Sequence, residues 1–191
     1  MPTRKRLNRQ KVLIEAIELA NVKGLENLNL HELAAALEIK PPSLYNHIKS
    51  LVDLKQGIAI EATRALVKRI KDNAVGKSGP EALRAMAWAY LKYVRDNPGM
   101  VSAIATAPDK ENQEAMAIDK DFIDTGMAIM AGFKLEHTES IHALRAIRCA
   151  AHGFAVLELE QGFGFDLKPD ESFEWMINKL VDSFKQDTNT N

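Results

Sequence analysis

The chain has 191 residues, of which 46% are apolar and 27% charged, enough for one large domain or two small ones with a real core. Ten glycines and seven prolines are few for this length and favour long regular elements. The single cysteine excludes an internal disulfide and a cysteine zinc site, as expected in a reducing cytoplasm. The longest uncharged run, residues 97–108, is too short to cross a bilayer, and Glu15 and Glu18 argue against a signal peptide. We therefore expect a cytoplasmic protein without a membrane partner.

Charge is distributed unevenly along the chain, although the net charge is only −1. Residues 1–55 carry nine Lys and Arg against six Asp and Glu, whereas the remainder carries sixteen against twenty. Arg4, Arg6 and Arg9 belong to a basic arm that precedes the first acidic residue. Such an arm is typical of an anion-binding segment, and a solvated tail is the alternative.

Almost every apolar segment has the spacing of a helix, and no strand-like alternation occurs. A first helix ends before Gly24, and a short second helix begins at Asn29, which is predicted to form a capping box with Glu32. The Pro41-Pro42 pair begins a short third helix. Six further helical segments are predicted over about residues 52–73, 80–96, 98–105, 108–132, 138–161 and 170–186. The fold class is therefore all-α, with about nine helices.

The first three helices have the spacing of a helix-turn-helix, since only Glu38, Ile39 and Lys40 separate the second from the third. In that motif the second helix supports the third, whose outer face enters the DNA major groove. Apolar residues hold the pair together, which leaves the polar residues of the third helix outside. The outward candidates are Lys40, Ser43, Tyr45, Asn46 and His47.

This stretch resembles the DNA-binding domain of the tetracycline-repressor-like (TetR) family of transcriptional regulators. The matching residues are those from Ala16 to Gly24, from Leu28 to Leu37 and from Pro42 to Ile48, followed by Leu54. The chain departs from the family pattern at Glu38 in place of a turn glycine, at Ile48 in place of an aromatic residue, and at Leu51 in place of a lysine.

The resemblance implies a ligand-responsive regulator that represses by binding a palindromic operator and is released by a small effector. It implies phosphate contacts for Tyr45 and His47, and we expect base contacts from Ser43 and Asn46. The complete set of predicted DNA contacts is Arg4, Arg6, Arg9, Asn29, Lys40, Pro42, Ser43, Tyr45, Asn46, His47 and Lys49.

The resemblance also implies a C-terminal helical domain that binds the effector and forms a homodimer through its last two helices. The predicted domains are a helix-turn-helix domain over 1–50, a connecting helix over 51–74 and an effector-binding and dimerisation domain over 75–191. His152-Gly153 resembles the signature of a C-terminal subclass named for Trp, His and Gly (WHG). A largely apolar effector is expected to contact Trp88, Met100, Phe122, Met127, Arg148 and His152. The predicted dimer interface contains Phe154, Phe173, Ile177, Leu180 and Phe184.

Two other functions are weighed against this prediction. The first is an all-α enzyme or ligand carrier without DNA binding. Glu139 and His142 have the spacing of half a di-iron site, but the second half is missing, and we expect no catalytic residue, metal or cofactor. The second is a DNA-binding protein that senses no ligand, which a ligand-dependent change in operator affinity would distinguish.

Overall fold

The computed structural model describes residues 7–184, which form eight α-helices and three 3-10 segments without a strand. The α-helices are α1 (Arg9–Lys23), α2 (Leu30–Ala36), α3 (Leu51–Ala74), α4 (Gly79–Asp96), α5 (Val101–Ala105), α6 (Gln113–Met130), α7 (His137–Leu159) and α8 (Pro169–Ser183). The 3-10 segments are Leu25–Asn27, Pro41–Asn46 and Pro98–Met100. With the six-residue segment Pro41–Asn46, hereafter the recognition helix, nine described helices have five or more residues, which confirms the predicted all-α fold.

The described chain packs as two units. The first contains the residues up to Thr63 together with Asn97–Met116, and the second contains Arg64–Asp96 and the chain from Ala117 onward. The bounds of α3 coincide with the predicted connecting helix, and α3 contributes residues to both units. The domain predicted from residue 75 onward differs from this division, because Asn97–Met116 packs with the first unit. Arg4 and Arg6 lie outside the described residues, and no described helix is both long and apolar enough to cross a membrane.

A close backbone contact joins Pro98–Met100 to the end of α1 within the first unit. The Gly99 N–H donates a hydrogen bond to Asn21 Oδ1 at 3.1 Å. A Cβ atom at Gly99 would lie 2.0 Å from the carbonyl oxygen of Ala20. Only glycine permits this approach, which explains why the segment after α4 belongs to the unit that contains α1.

The core of the second unit lies where α4, α7 and α8 meet. Phe173 of α8 is fully buried. The centre of its ring lies 4.9 Å from the ring centre of Trp88 in α4 and 5.0 Å from that of Phe154 in α7. Arg95 of α4 adds an ion pair to each of the other helices, with Glu158 at 2.7 Å and with Asp170 at 2.5 Å.

This packing corrects part of the predicted dimer interface. Phe154, Phe173 and Ile177 are buried within the single chain, so they offer little or no surface to a second chain. Leu180 and Phe184 are half-buried. The physical reason is that the apolar stripe of α8 is covered by helices of its own chain, whereas the periodicity of a helix indicates only which face is buried.

Candidate DNA-reading face and buried polar cluster

Asn29 has a structural role at the start of α2. Its Oδ1 accepts a hydrogen bond from the Glu32 N–H at 2.9 Å, as expected of an N-cap residue. The Glu32 carboxylate pairs with Lys23 at 2.7 Å. The predicted N-cap is therefore present at Asn29, whereas the Glu32 carboxylate pairs with Lys23 in place of closing the predicted capping box.

The turn after α2 contains a residue in the left-handed region of backbone space. Glu38 has a φ of 54°, and its N–H donates to the Ala35 carbonyl at 3.0 Å. The Ile39 N–H donates to the Ala34 carbonyl at 2.9 Å, which completes a Schellman motif. Glycine is favoured at this position because a side chain there costs about 1–2 kcal/mol. The sequence departure at Glu38 thus retains the turn geometry with some strain.

The recognition helix presents its residues in three rows, because a 3-10 helix has three residues per turn and residues three apart are eclipsed. Leu44 lies in the inward row and is fully buried. One outer row contains Pro42 and Tyr45, and Tyr45 is 60% exposed. The other outer row contains Ser43 and Asn46, of which Asn46 is the more exposed. The structure therefore brings four of the predicted DNA contacts onto one outer face.

Basic residues flank this face, but Arg9, one of the predicted DNA contacts, forms an ion pair within the chain. Lys40 precedes the recognition helix and Lys49 follows it, and both are exposed. Arg9 instead binds Asp53 through two hydrogen bonds of 2.8 and 2.9 Å. This ion pair joins residues 44 positions apart, so nothing in the local sequence pattern indicated it.

A polar cluster in the second unit joins α4, α6 and α7. The Tyr90 hydroxyl and His152 Nδ1 are 2.9 Å apart, and Arg148 also hydrogen-bonds to Tyr90. The Arg148 guanidinium lies over the ring of Phe122, 5.2 Å from its centre, in a cation–π contact. Aromatic, phenolic, imidazole and guanidinium groups thus converge in one place.

Burial determines the charges in this cluster. It raises the pKa of Tyr90 to about 12, despite the opposing effect of Arg148. Burial, followed by the positive charge of Arg148, lowers the pKa of His152. At neutral pH Tyr90 and His152 are therefore uncharged, and Arg148 carries the positive charge of the cluster.

The cluster contains half of the residues predicted to contact an effector. Phe122, Arg148 and His152 come together, whereas Trp88 packs on Phe173. Trp88 and Tyr90 are two positions apart on α4 and so point to different sides of the helix.

One more of the predicted effector contacts, Met100, lies elsewhere in the fold, and one residue of the cluster was not predicted. Met100 is fully buried in the first unit, and Met127 of α6 is half-buried. Tyr90 is the residue of the cluster that is absent from the predicted effector contacts. The signal that could have identified it is that a buried tyrosine hydroxyl needs a hydrogen-bonding partner.

An exposed apolar patch surrounds the connection between α7 and α8. Phe165, Leu167 and Trp175 are well exposed, and Trp175 exposes 66% of its surface. A shallow groove of about 240 Å³ lies beside Leu167 and Trp175. Large exposed apolar residues grouped in this way mark interaction surfaces.

Comparisons with known proteins identify relatives of this chain in sequence and in fold. A family model described as tetracyclin repressor-like, C-terminal domain, matches residues 83–180. The chain is 29% identical to the HTH-type transcriptional regulator YobS of Bacillus subtilis, over 90% of each chain. It is 30% identical to the tetracycline repressor protein class D of Escherichia coli, over 82% of this chain and 68% of that one. A crystal structure of a TetR variant from Acinetobacter baumannii AYE in complex with minocycline has the same fold, with a TM-score of 0.68, 20% identity and coverage of 94% and 97%.

Proposed function

The chain belongs to the tetracycline-repressor-like family of DNA-binding transcriptional regulators, and from this premise we propose that it is a homodimeric repressor released from a palindromic operator by a small effector. In this proposal it acts in the cytoplasm, where the DNA is, and has no catalytic role. The observation that carries the proposal is the outer face of the recognition helix, where polar and aromatic side chains are exposed between two lysines.

Each group on that face suits a particular DNA contact. The Tyr45 hydroxyl and the His47 ring can donate to phosphates, and Lys40 and Lys49 add charge. Asn46 can donate to and accept from the edge of an adenine, and the Ser43 hydroxyl suits any base. A six-residue helix contributes few base contacts, so two copies are needed for a specific site.

The exposed patch on the second unit supports a two-fold dimer. We place the dimer surface on Leu167, Trp175 and the outward face of α8, in place of the buried Phe173 and Ile177. Half-buried Leu180 and Phe184 remain candidates for its margin. A symmetric pair of recognition helices would read half-sites whose centres lie at least one turn, about 34–36 Å, apart.

The polar cluster is the proposed effector site. Phe122 offers an apolar surface, and Arg148 offers a positive charge beside two neutral hydrogen-bonding groups. These groups suit a largely apolar molecule that carries one anionic or polar group. Since α3 contributes residues to both units, it is the candidate element for coupling ligand binding to DNA binding.

Selection from a random duplex pool at about 100 mM salt tests the DNA part of the proposal. The proposal predicts enrichment of one two-fold symmetric site. Failure to enrich any sequence would reject the function, and an asymmetric site would reject the symmetric dimer.

Ligands found by thermal-shift screening then test the effector part. A ligand should weaken operator binding about 5–150-fold, and operator DNA should weaken ligand binding by the same factor. Arg148→Gln should remove this response, whereas Arg145→Gln, on the exposed face of the same helix, should retain it. An Arg148→Gln protein that still releases DNA at the wild-type ligand concentration would exclude the cluster as the effector site.

A further inference from the structure

One arginine at the start of α1 joins three elements of the first unit. The Arg9 guanidinium meets the Asp53 carboxylate fork to fork, with Nη1 2.8 Å from Oδ2 and Nη2 2.9 Å from Oδ1. Its Nη1 also donates to the His47 carbonyl at 3.1 Å. α1 is thereby tied both to the start of α3 and to the residue that follows the recognition helix. Bidentate arginine–carboxylate pairs fix geometry as well as adding energy.

Asp53 also organises the turn between the recognition helix and α3. Its Oδ2 accepts a hydrogen bond from the Lys49 N–H at 2.8 Å, and its own N–H donates to Ser50 Oγ at 3.1 Å. The hydrogen bond from Arg9 and that from the Lys49 backbone hold the pKa of Asp53 below its ordinary value, against the effect of burial. The carboxylate is therefore ionised at neutral pH and accepts hydrogen bonds from α1 and from the backbone of the turn.

The next turn of α3 makes room for this arrangement. Gly57 is buried against α1, and a Cβ atom there would lie 2.7 Å from Leu13 Cδ2 and 3.1 Å from Arg9 Nη2. The missing side chain lets the two helices approach where the arginine fork lies. The ion pair is thus part of a packed contact between α1 and α3, with its outer edge open to solvent.

We propose that Arg9 and Asp53 form a clamp that sets the position of His47 and Lys49 against DNA, and that Arg9 is a positioning residue that does not itself bind phosphate. The clamp holds the carbonyl of one of these residues and the N–H of the other, so it fixes the peptide groups from which both side chains extend. This inference rests on the proposed function, because it assumes that the recognition helix binds DNA.

The clamp and a direct phosphate contact predict opposite effects of one substitution. If Arg9 bound phosphate, Asp53→Asn would release Arg9 and remove a negative charge near the DNA, and operator binding would tighten. If the pair is a clamp, Asp53→Asn weakens binding even though it removes that charge. The sign of the change therefore distinguishes the two roles.

The test uses the full chain and the operator selected by the wild-type protein, with affinity measured by fluorescence anisotropy over a range of KCl concentrations. Arg9→Gln and Asp53→Asn should each weaken binding about fivefold, and the two should change the slope of log K against log salt alike, because both act through the positions of His47 and Lys49. Lys49→Gln is the matched control, and it should reduce the magnitude of that slope by about 0.9 for each phosphate that the lysine neutralises in the wild-type complex.

The variant Arg9→Lys and a measurement of the active fraction distinguish a loss of positioning from a loss of folded protein. Stoichiometric titration with operator gives the active fraction, and each affinity refers to that fraction. Arg9→Lys keeps the charge but loses the fork, so the clamp predicts weakening close to that of Arg9→Gln. Tighter binding by Asp53→Asn, or a salt slope that flattens for Arg9→Gln but not for Asp53→Asn, would overturn the clamp. A wild-type protein that selects no operator would instead overturn the proposed function, and the role of the clamp with it.

Discussion

The recognition helix and the polar cluster hold their functional side chains in opposite ways. On the recognition helix, Tyr45 and Asn46 are exposed, and hydrogen bonds between neighbouring residues fix their backbone. In the cluster, Tyr90, Arg148 and His152 are buried or half-buried and bond across helices. Substitutions on the recognition helix should therefore change binding with little change in stability, whereas substitutions in the cluster should change both.

The largest expected effect concerns α8, where one aromatic side chain is buried and a second is exposed. Phe173→Ala removes a fully buried ring and should lower the free energy of unfolding by about 3–5 kcal/mol. Trp175→Ala, two positions further, should change it by less than about 0.5 kcal/mol per chain and should instead weaken the dimer. Urea unfolding at several protein concentrations measures both effects. Similar losses of chain stability for the two variants would contradict the packing of α8 under α4 and α7.

A pair of tyrosines compares the two regions directly. Tyr90→Phe leaves His152 and Arg148 without a buried hydroxyl partner and should cost about 1–3 kcal/mol of stability. Tyr45→Phe removes an exposed hydroxyl and should change stability by less than about 0.5 kcal/mol. The same Tyr45 variant should bind the operator more weakly than wild type. If Tyr45→Phe were the more destabilising of the two, the contrast between the regions would fail.

The turn before the recognition helix should show a smaller effect. Glu38→Gly relieves the left-handed backbone of a non-glycine residue, and the hydrogen bonds of the turn need no change. The gain in stability should be about 1 kcal/mol, measured by the shift in the urea midpoint. Glu26→Gly, in the short 3-10 segment before α2, serves as a control: it relieves no positive φ and removes the ion pair with Lys55, so it should give no gain in stability. A loss of stability in Glu38→Gly would mean that Glu38 makes a compensating contact.

The pH dependence of stability follows from the lowered pKa of His152. The folded chain resists protonation of this ring because of burial and the charge of Arg148, while the unfolded chain accepts the proton near pH 6.5. This contribution to stability is therefore complete above about pH 6.5 and is lost as the pH falls toward the folded pKa. Between about pH 7.5 and pH 5, His152→Gln should lose less stability than wild type. The lowered pKa of Asp53 acts only below its ordinary value of 3.8 and does not affect this range.

Sequence reasoning succeeded where the relevant interactions are local. The cap at Asn29, the three-residue turn and the outward residues of the recognition helix follow from neighbours within a few positions. It could not supply the partner of Arg9, because Asp53 lies three helices further along the chain.

The same limit applies to the second unit. Phe154 and Phe173 were predicted at the dimer interface, but a second chain and α4 would cover such an apolar stripe with the same pattern. Tyr90 was missed for the same reason, since its partners belong to α7. Interactions between distant positions depend on how helices pack, which the spacing of residues in one helix does not encode.

The most direct test of the central claim is the affinity of Asn46→Ala for a panel of operators, each with one substituted base pair. If the outer rows of the recognition helix read bases, the variant loses discrimination at one base pair in each half-site, by about 1–3 kcal/mol, and keeps the wild-type preference elsewhere. An unchanged profile, or a uniform weakening over every position, would contradict base reading by this helix.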